Sequence, residues 1–426
     1  MRIDVLVIGG GGREHALCWK LKQSPRIGKL YCAPGNGGTR AVAEQVPIGV
    51  MEFERLALFA EEKHVGLTIV GPDDPLAGGI VDHFKARGLR VWGPSKAAAR
   101  IEASKAFAKE LMREAGVPTA AFEVFTDHDK ALAYVRAQGA PIVVKASGLA
   151  LGKGVYVCQT LAEAEAALKE IMLDHLFKDA GNEVVVEEYL DGQEVSLHAL
   201  SDGSSHLLFP PSQDHKPVGE GDTGPNTGGM GTIAPLPQVS EGMLQELDAS
   251  VVTPTLEAMK KRGVPFAGLL YPGIKLSSKG PRVLEFNARF GDPETQVYMR
   301  LLKTDLLDLL DACVDGELGT QTIEWHPGFA ANIVLASGGY PGAYEKGFPI
   351  TGIEEAEQVE GAVVFHAGTA LKDGALVTNG GRVLGVSAVG DTLAHALDRA
   401  YRAAELVHFE GKYYRRDIGV EALERR

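Results

Sequence analysis

Cysteine is scarce in this sequence, and its scarcity limits the possible classes of protein. The 426 residues include four cysteines, at positions 18, 32, 158 and 313, with no C-x-x-C pair and no regular spacing. A framework of disulfides would need a denser and more ordered set of cysteines. We therefore expect reduced thiols, as is usual in a cytoplasmic protein.

Excess positive charge and long apolar runs are also missing. Lys and Arg number 43 against 56 Asp and Glu, so the net charge is −13. This balance argues against non-specific binding to nucleic acid. No apolar stretch approaches the roughly 18 residues of a membrane-spanning helix, so no membrane partner is expected. The apolar run from Val5 to Ile8 is short and lacks a cleavage site, so it is interpreted as a first strand rather than a signal peptide.

The N-terminal region alternates strands and helices, as an open parallel sheet does. Residues 3–8 read as a buried parallel strand with an apolar run from Val5 to Ile8, and Gly9 to Gly12 lead into a helix. A glycine turn at a helix N-terminus binds anions through backbone N–H groups, which makes Gly11 and Gly12 candidates for phosphate binding. A dinucleotide site is the alternative, but Pro34-Gly35-Asn36 stands where such a site needs an acidic residue.

Two further segments of this region have a predicted structure, and one of them lies where ligands bind. Residues 72–76, which include Asp74, are predicted to form a loop at the carboxyl end of a strand, where open α/β sheets bind ligands. A plain proline-rich turn is the alternative. Residues 96–115 are predicted to form one amphipathic helix that ends at Gly116 and leads into a second unit.

A strand, a glycine-rich loop and a second strand are predicted for residues 140–158. Lys145 ends the first strand, and Lys153 lies in the loop between Gly152 and Gly154. The spacing excludes a Walker loop. Backbone amides and two lysines in a β-hairpin would nevertheless cover phosphates. Solvated lysines in an ordinary hairpin are the alternative.

Residues 183–197 are predicted to be a strand with a turn at Asp191-Gly192. Glu187 and Glu188 would lie at a sheet edge whose backbone contacts adenine, and Glu194 would accept hydrogen bonds from ribose. A solvated strand face is the alternative.

Residues 212–235 are too rich in glycine and proline for the interior of a helix or strand. A loop of this length is normally functional or disordered. Its polar groups favour function, with Asp214, His215, Lys216 and residues 226–231 facing a ligand.

The segment VLEFNARFGDPETQ, residues 283–296, is the most informative part of the chain. Glu285 and Asn287 are two apart on a predicted strand and so point to one face, about 7 Å apart. A carboxylate and an amide oxygen suit Mg²⁺ that is shared with phosphates. Arg289 follows on that face, and a turn leads to a helix predicted for residues 294–313. Beyond residue 328 the pattern indicates a smaller α+β unit.

Together these motifs resemble the glycinamide ribonucleotide synthetases (phosphoribosylamine–glycine ligases), a family of the ATP-grasp superfamily. The resemblance spans the chain and is carried by GGREHAL, APGNGGT, KASGLALGKGV, SQDHK, DTGPNTGGMG, EFNARFGDPETQ and VTNGGRVLGV. It implies an α/β and α+β multidomain fold. Residues 1–102 would form a Rossmann-like open parallel sheet (a pre-ATP-grasp domain), and residues 103–327 an ATP-grasp core of two α+β subdomains. Within that core, residues 118–190 would be the nucleotide-covering lid. Residues 328–426 would form a small C-terminal α+β cap.

The resemblance also implies a reaction and a set of site residues. ATP and Mg²⁺ (or Mn²⁺) would serve to join glycine to 5-phosphoribosylamine through glycyl phosphate, in de novo purine biosynthesis. The implied catalytic residues are Arg289, Asp214 and Lys216, and the implied metal ligands are Glu285 and Asn287. The implied ATP-binding residues are Lys105, Lys145, Lys153, Gly152, Gly154, Glu187, Glu188, Leu190 and Glu194. The implied substrate-binding residues are Gly11, Gly12, Asn36, Asp74, Asn226, Thr227, Gly228, Gly229, Gly291, Asp292 and Pro293.

The chain departs from the family pattern at Gly10, Asp73, Ser147 and Pro217, none of which is a metal ligand or phosphate lysine. The rival functions are another ATP-grasp carboxylate–amine ligase or carboxylase, a non-catalytic nucleotide-binding module, and a dinucleotide oxidoreductase. We expect a monomer that acts on small molecules, and transient contacts with neighbouring purine-pathway enzymes stay an open alternative.

Overall fold

The computed structural model describes residues 2–149 and 154–424, and it confirms the predicted multidomain α/β and α+β class. The first sheet is parallel, with strand order β3-β2-β1-β4-β5. Its strands are β1 (Ile3–Gly9), β2 (Ile27–Pro34), β3 (Glu44–Gln45), β4 (Leu67–Val70) and β5 (Val91–Trp92). Alternate residues of β1 enter two apolar clusters, one on each face of the sheet. Burial on both faces explains why β1 is apolar without interruption from Val5 to Ile8.

The second sheet is antiparallel, with the order β6-β9-β7-β8. It consists of β6 (Phe122–Phe125), β7 (Ile142–Ala146), β8 (Val155–Cys158) and β9 (Val184–Glu188). Two predictions for this region are wrong. Residues 183–197 form two strands in different sheets, and β9 pairs on both sides, with β6 and β7. Glu187 and Glu188 therefore do not lie at a sheet edge.

The third sheet has the order β10-β17-β11-β12, with β18 paired to β17. Its strands are β10 (Gln193–Ser196), β11 (Ala199–Asp202), β12 (His206–Leu208), β17 (Ala267–Ser277) and β18 (Gly280–Asn287). The fourth sheet has the order β13-β16-β19-β23-β20. Its strands are β13 (Gln213–Asp214), β16 (Gly231–Ala234), β19 (Phe329–Ala336), β20 (Ala362–His366) and β23 (Arg382–Gly390). This last sheet joins strands from two of the predicted units.

Two short ribbons complete the strands: β14 (Pro217–Gly219) with β15 (Thr223–Asn226), and β21 (Thr369–Lys372) with β22 (Ala375–Thr378). The predicted loop 212–235 therefore contains four short strands, β13 to β16. Most of its glycines and prolines occupy the turns and exposed edges of these strands, where a missing side chain or N–H costs little. Gly231 is the exception, since it is buried in β16 against the backbone of Asn332.

The helices, in chain order, are α1 (Gly12–Leu21), α2 (Phe53–Glu62), α3 (Asp73–Gly78), α4 (Ile80–Ala86), α5 (Lys96–Ala103), α6 (Lys105–Ala115), α7 (His128–Gln138), α8 (Leu161–Met172), α9 (Glu241–Leu247), α10 (Thr253–Lys261), α11 (Glu294–Leu301), α12 (Leu306–Asp315), α13 (Ile353–Glu357), α14 (Leu393–Leu406) and α15 (Val420–Glu424). A π-helical turn, Asp248–Val252, joins α9 to α10. Within residues 2–149 and 154–424, no helix has the length and apolar character to cross a membrane.

Three predictions need correction because of the helices that are observed. The predicted loop 72–76 belongs mostly to α3. The predicted helix 96–115 is broken at Ser104, which is extended (φ −138°, ψ 108°) and caps α6 by accepting a hydrogen bond from the N–H of Phe107. The predicted helix 294–313 is broken between α11 and α12, where Asp305 caps the second helix. Ser and Asp break and restart helices in this way because their side chains replace backbone acceptors.

Candidate active site

A cavity of about 970 Å³ opens where the second, third and fourth sheets meet the helices α5 and α6. Most of the predicted site residues line it. They are Lys105, Lys145, Gly154, Glu187, Glu188, Leu190, Glu194, Asp214, Lys216, Asn226, Thr227, Gly228, Glu285, Asn287, Arg289 and Asp292. Residues from five separate stretches of sequence thus converge on one space, which is the arrangement that a binding site requires.

Nine predicted residues are not found among the lining residues. Gly152 and Lys153 lie outside the described residues. Gly11, Gly12, Asn36, Asp74, Gly229, Gly291 and Pro293 are placed around the cavity rather than on its wall. Asp74 is exposed on α3, and its neighbour Asp73 lines the cavity instead.

The glycine turn before α1 lies against the turn before α11. The N–H of Arg13 donates to Asp292 Oδ2 at 3.3 Å, and a side chain on Gly12 would lie 2.5 Å from Gln296 Nε2. A glycine here lets α1 and α11 approach without displacing the end of the Gln296 side chain. The N-terminal glycines and Asp292 therefore form one end of the site.

Asn36 has a structural role in this turn. Its Nδ2 donates to the carbonyls of Gly10, Gly11 and His366, at 3.0, 3.3 and 2.7 Å. Its Oδ1 accepts from two backbone N–H groups. The side chain is thus fully engaged in holding the glycine turn.

Glu285 and Asn287 form the floor of the cavity on strand β18. Lys216 Nζ lies 3.5 Å from Glu285 and 3.4 Å from Glu194. Burial favours the neutral acid, but Lys216, Lys145 and Lys105 outweigh it and lower the pKa of Glu285 to about 2. Glu285 is therefore ionised at neutral pH, as a metal ligand must be.

Glu285 and Asn287 suit a metal that phosphates also bind. Both offer hard oxygen atoms from one strand to the same cavity. The described part of the chain contains no group of three His, Cys, Asp or Glu that would hold a metal by itself. Mg²⁺ commonly takes one or two protein ligands and completes its shell with water and phosphate oxygens, so the donor set fits Mg²⁺ or Mn²⁺ accompanied by a nucleotide.

Arg289 lies beside Glu285 and Asn287, and its side chain is held by the carboxylate of Glu102, which the sequence analysis did not predict. Its Nη2 lies 3.0 Å from Glu102 and donates to Asn287 Oδ1 at 3.1 Å. Glu102 also accepts from the N–H of Ala288 at 2.8 Å, and burial raises the pKa of Glu102. Arg289 Nε is buried and has no hydrogen-bond partner in the described structure, which leaves one donor for an anionic ligand.

A cluster of buried charged residues lies on the cavity wall, where the second sheet meets α6. Lys145 and Lys109 each lie 3.0 Å from the carboxylate of Glu187, and Lys105 donates to the carbonyl of Gly148 at 3.1 Å. Burial lowers the pKa of Lys109 to about 8. Glu187 was predicted to contact adenine through its backbone, but its carboxylate balances two lysines and its backbone pairs with neighbouring strands. The role of Lys109 could not be predicted from the sequence, because in the sequence it looks like any lysine on the polar face of an amphipathic helix.

Asp214 and Glu294 bring two carboxylates to the far wall of the cavity. Burial and the proximity of Glu294 raise the pKa of Asp214 well above its ordinary value. Glu294 accepts hydrogen bonds from Tyr271 and, at 3.1 Å, from Ser196. The sequence treated Glu294 only as the first residue of a helix, although its place in the motif GDPE was a usable signal.

Arg382 is a further cavity residue that the sequence missed. Its Nη1 donates to the carbonyl of Asp292 at 2.7 Å and also to that of Gly228. The motif VTNGGRVLGV contains this arginine, but the glycines beside it indicated a hairpin. Arg13 likewise lines the cavity unpredicted. These two arginines give the Asp292 end of the site its positive charge.

Comparisons with known proteins agree with this geometry. Models of phosphoribosylglycinamide synthetase match the chain in three parts: the N domain at residues 3–102, the ATP-grasp (A) domain at 103–295 and the C domain at 330–421. The phosphoribosylamine–glycine ligase of Brucella melitensis is 50% identical over 423 residues, and that of Pseudomonas aeruginosa is 49% identical over 426 residues. Each alignment covers 99% of both chains.

Solved structures place the chain in the same group. The crystal structure of phosphoribosylamine–glycine ligase from Thermotoga maritima superimposes with a TM-score of 0.84 at 36% identity, covering 97% of this chain and all of that one. The biotin carboxylase domain of a Hydrogenobacter thermophilus 2-oxoglutarate carboxylase shares the fold alone, with a TM-score of 0.73 at 17% identity over 97% of this chain and 92% of that one. The chain therefore belongs to the phosphoribosylglycinamide synthetase (phosphoribosylamine–glycine ligase) family of the ATP-grasp enzymes.

Proposed function

We propose that this chain is an ATP-dependent carbon–nitrogen ligase of purine biosynthesis. It joins glycine to 5-phosphoribosylamine and yields glycinamide ribonucleotide, ADP and phosphate. The observation that carries the proposal is the convergence of Glu285, Asn287, Arg289 and two lysines on one cavity in a chain of this family. These groups are what a phosphoryl transfer between anions requires.

The first half of the reaction activates a carboxylate. A carboxylate is a poor electrophile, so the γ-phosphoryl group of ATP is transferred to the glycine carboxylate to give glycyl phosphate. Lys105 and Lys145 neutralise the nucleotide phosphates, and Arg289 holds the negative charge of glycine or of the moving phosphoryl group. Glu285 and Asn287 would hold Mg²⁺, which would supply further charge neutralisation for the transfer.

The second half forms the amide bond. The amine of phosphoribosylamine attacks the acyl carbon of glycyl phosphate, the C–O bond to phosphate breaks, and the amine loses a proton. Protein nucleophiles are not needed, because the acyl phosphate is already activated. Water must be excluded during this step. The family resemblance assigns Gly152 and Lys153, which lie outside the described residues, to the binding of ATP.

Each substrate is assigned one part of the cavity. ATP lies against Lys105, Lys145, Glu187, Leu190 and Glu194. Glycine lies between Arg289 and the two carboxylates Asp214 and Glu294. The sugar phosphate lies at the positive end, near Arg13, Asp292, Arg382 and the segment Asn226–Gly229. The glycine turn at Gly11 and Gly12 lies beside that end, where the N–H of Gly11 donates to Glu14 Oε2 and the N–H of Arg13 donates to Asp292 Oδ2.

A direct assay tests the proposal. The chain is incubated with ATP, Mg²⁺, glycine and phosphoribosylamine formed in situ from ribose 5-phosphate and ammonia. ADP release that depends on both glycine and the amine is the expected result, with glycinamide ribonucleotide identified by mass spectrometry. ADP release with bicarbonate in place of glycine would identify a carboxylase instead. Nucleotide binding without turnover of any carboxylate would identify a non-catalytic module.

We further propose a cytoplasmic monomer, divided into domains after residues 102 and 327. The proposal of a cytoplasmic protein is supported by four free and buried cysteines. Sedimentation of the purified protein tests the proposed oligomeric state, and a mass of twice 45.3 kDa would contradict it.

A further inference from the structure

The ribbon β14–β15 is exposed, yet it forms part of the cavity wall. All four residues of β15 are exposed, and two of them, Gly224 and Asn226, also line the cavity. Pro217 and Asp222 line the cavity beside them. A two-stranded ribbon is marginally stable by itself in water. Its position over the cavity must therefore be set by contacts with other parts of the chain.

Those contacts come from the C-terminal segment 413–419, which we name the C-terminal clamp. Two side chains of the clamp donate to the ribbon: Tyr413 Oη donates to the carbonyl of Val218 (2.8 Å), and Arg415 Nη1 donates to the carbonyl of Pro217 (3.0 Å) and to Asp222 Oδ1 (2.8 Å). Two backbone groups at the tip add further contacts: the N–H of Gly221 donates to Asp417 Oδ2 (2.7 Å), and the N–H of Arg416 donates to Glu220 Oε1 (3.1 Å). At the base of the ribbon, the N–H of Gly419 donates to His215 Nε2 at 3.1 Å.

Arg415 is the centre of the clamp. It is 1% exposed, and Asp417 holds its guanidinium with two contacts of 2.8 and 2.7 Å. Its remaining donors point at the ribbon. A buried, bidentate arginine is a rigid anchor, since the orientation of its planar group is already fixed.

The tip of the ribbon has a shape that suits this anchor. Gly221 and Asp222 both adopt positive φ, at 64° and 55°. Aspartate is one of the few side chains that tolerate this conformation. Its use here places a carboxylate where it pairs with Arg415, which a glycine would not provide.

We propose that Arg415 is a positioning residue, which holds the β14–β15 ribbon over the cavity and thereby shapes the binding site of the amine substrate. This inference rests on the proposed function. The ribbon continues directly into Asn226, Thr227 and Gly228, and Gly228 contacts Arg382 beside Asp292. Displacement of the ribbon thus moves the end of the site assigned to phosphoribosylamine and leaves the lysines of the ATP end in place.

Arg415→Met tests the proposal in the full-length chain, with Arg416→Met as the matched control. The Arg416 side chain is 65% exposed and lies near Glu405, and its contact with the ribbon is made by the backbone N–H, which the substitution keeps. Hydrogen exchange of the peptide 217–227 is expected to accelerate roughly tenfold in Arg415→Met. The KM for phosphoribosylamine is expected to rise by a similar factor, while the KM for ATP changes less than about twofold. Arg416→Met should match the wild type in all three measurements.

Asp222→Asn provides a second route, because it removes the charge from an exposed residue and keeps a side chain that tolerates positive φ. The same acceleration of exchange and the same rise in KM are expected from it. Unchanged exchange in both variants would overturn the proposal, as would faster exchange with an unchanged KM for the amine. Failure of the wild-type chain to ligate glycine would refute the proposed function, whereas the exchange result would still show whether the clamp holds the ribbon.

Discussion

At the scale of single residues, the cavity is organised by ion pairs between distant parts of the sequence. Glu102 orients Arg289, and Glu187 balances Lys109 and Lys145. The sequence could predict that carboxylates, amides and arginines would gather here, because motifs fix their types and local spacing. It could not predict Glu102 or Lys109, because their roles depend on how α5 and α6 pack against β18 and β9.

Replacement of Glu285 by Gln is expected to remove the proposed metal ligand while the fold is retained. The amide is isosteric but neutral, so kcat/KM should fall at least about a hundredfold. Steady-state ADP release measures the loss, and circular dichroism checks the fold. Glu246→Gln, at an exposed position, is the control. Activity near the wild-type level would show that Glu285 does not bind the metal.

Glu187→Gln is expected to destabilise the chain. Two buried lysines would lose their counter-ion, and loss of one partner from a buried pair costs about 3–5 kcal/mol. Unfolding in urea measures the change. The double variant Glu187→Gln with Lys109→Met should recover part of the lost free energy, because it removes one of the unpaired charges. An unchanged unfolding midpoint for the single variant would contradict the buried cluster.

Stability should also fall in mild acid, because of two buried histidines beside the glycine turn. Burial lowers the pKa of His15 to about 3 and that of His366 to about 4. The unfolded chain binds these protons near pH 6.5, before the folded chain does. The stability that results from keeping these two histidines neutral is therefore complete above about pH 6.5. The free energy of unfolding declines as the pH falls towards 4, by up to about 1.4 kcal/mol per pH unit for each histidine.

Urea unfolding between pH 7 and pH 4 measures this slope. His366→Phe removes one titrating group and should make the slope shallower, with His395→Gln at an exposed position as the control. A slope that His366→Phe leaves unchanged would contradict the assignment.

At the scale of elements, the break between α5 and α6 connects helix capping to the proposed ATP site. Ser104 caps α6, the N–H of Lys105 donates to the carbonyl of Ser147 at 2.8 Å, and Lys105 reaches Gly148. Ser104→Ala should cost about 1 kcal/mol of stability and raise the KM for ATP, because the start of α6 positions Lys105. Ser95→Ala removes the cap of α5 and should cost a similar free energy with no change in that KM. Equal effects of both variants on the KM would refute the link.

The elements that the sequence predicted well are those with a strong periodic or apolar pattern. Strand β1 matches the prediction closely, since its apolar run from Val5 to Ile8 is buried on both faces of the sheet. The breaks at Ser104 and at residues 302–305 were missed because the amphipathic period continues across them. Of the short strands in 212–235, β16 was missed because its partner β19 lies far along the chain, at Phe329–Ala336. Strands β13, β14 and β15 were missed because they are only two to four residues long and show no periodic pattern.

At the scale of the whole molecule, the units are connected through shared structure. Strands β13 and β16 complete a sheet whose other strands follow residue 328, and Arg26 and Arg90 of the first unit pair with Asp308, Asp311 and Asp315 on α12. A chain that ends at residue 327 would leave one edge of β16 unpaired and an apolar cluster uncovered.

We expect such a truncated chain to aggregate or to unfold without a sharp transition, as scanning calorimetry would show. Supplying residues 328–426 as a second polypeptide should restore one cooperative transition. A truncated chain that unfolds cooperatively by itself would contradict the shared sheet.

The shared sheet has a consequence for the order of assembly on the ribosome. Strand β16 emerges before its partner β19, and synthesis of the roughly one hundred residues between them takes about 5–20 s at ordinary translation rates. The sheet that carries Asp214 therefore closes late in synthesis. The C-terminal clamp emerges after β19, so it fastens the ribbon later still. The first sheet completes its strands early in translation, whereas the wall of the substrate cavity is complete only after the C-terminal clamp has emerged.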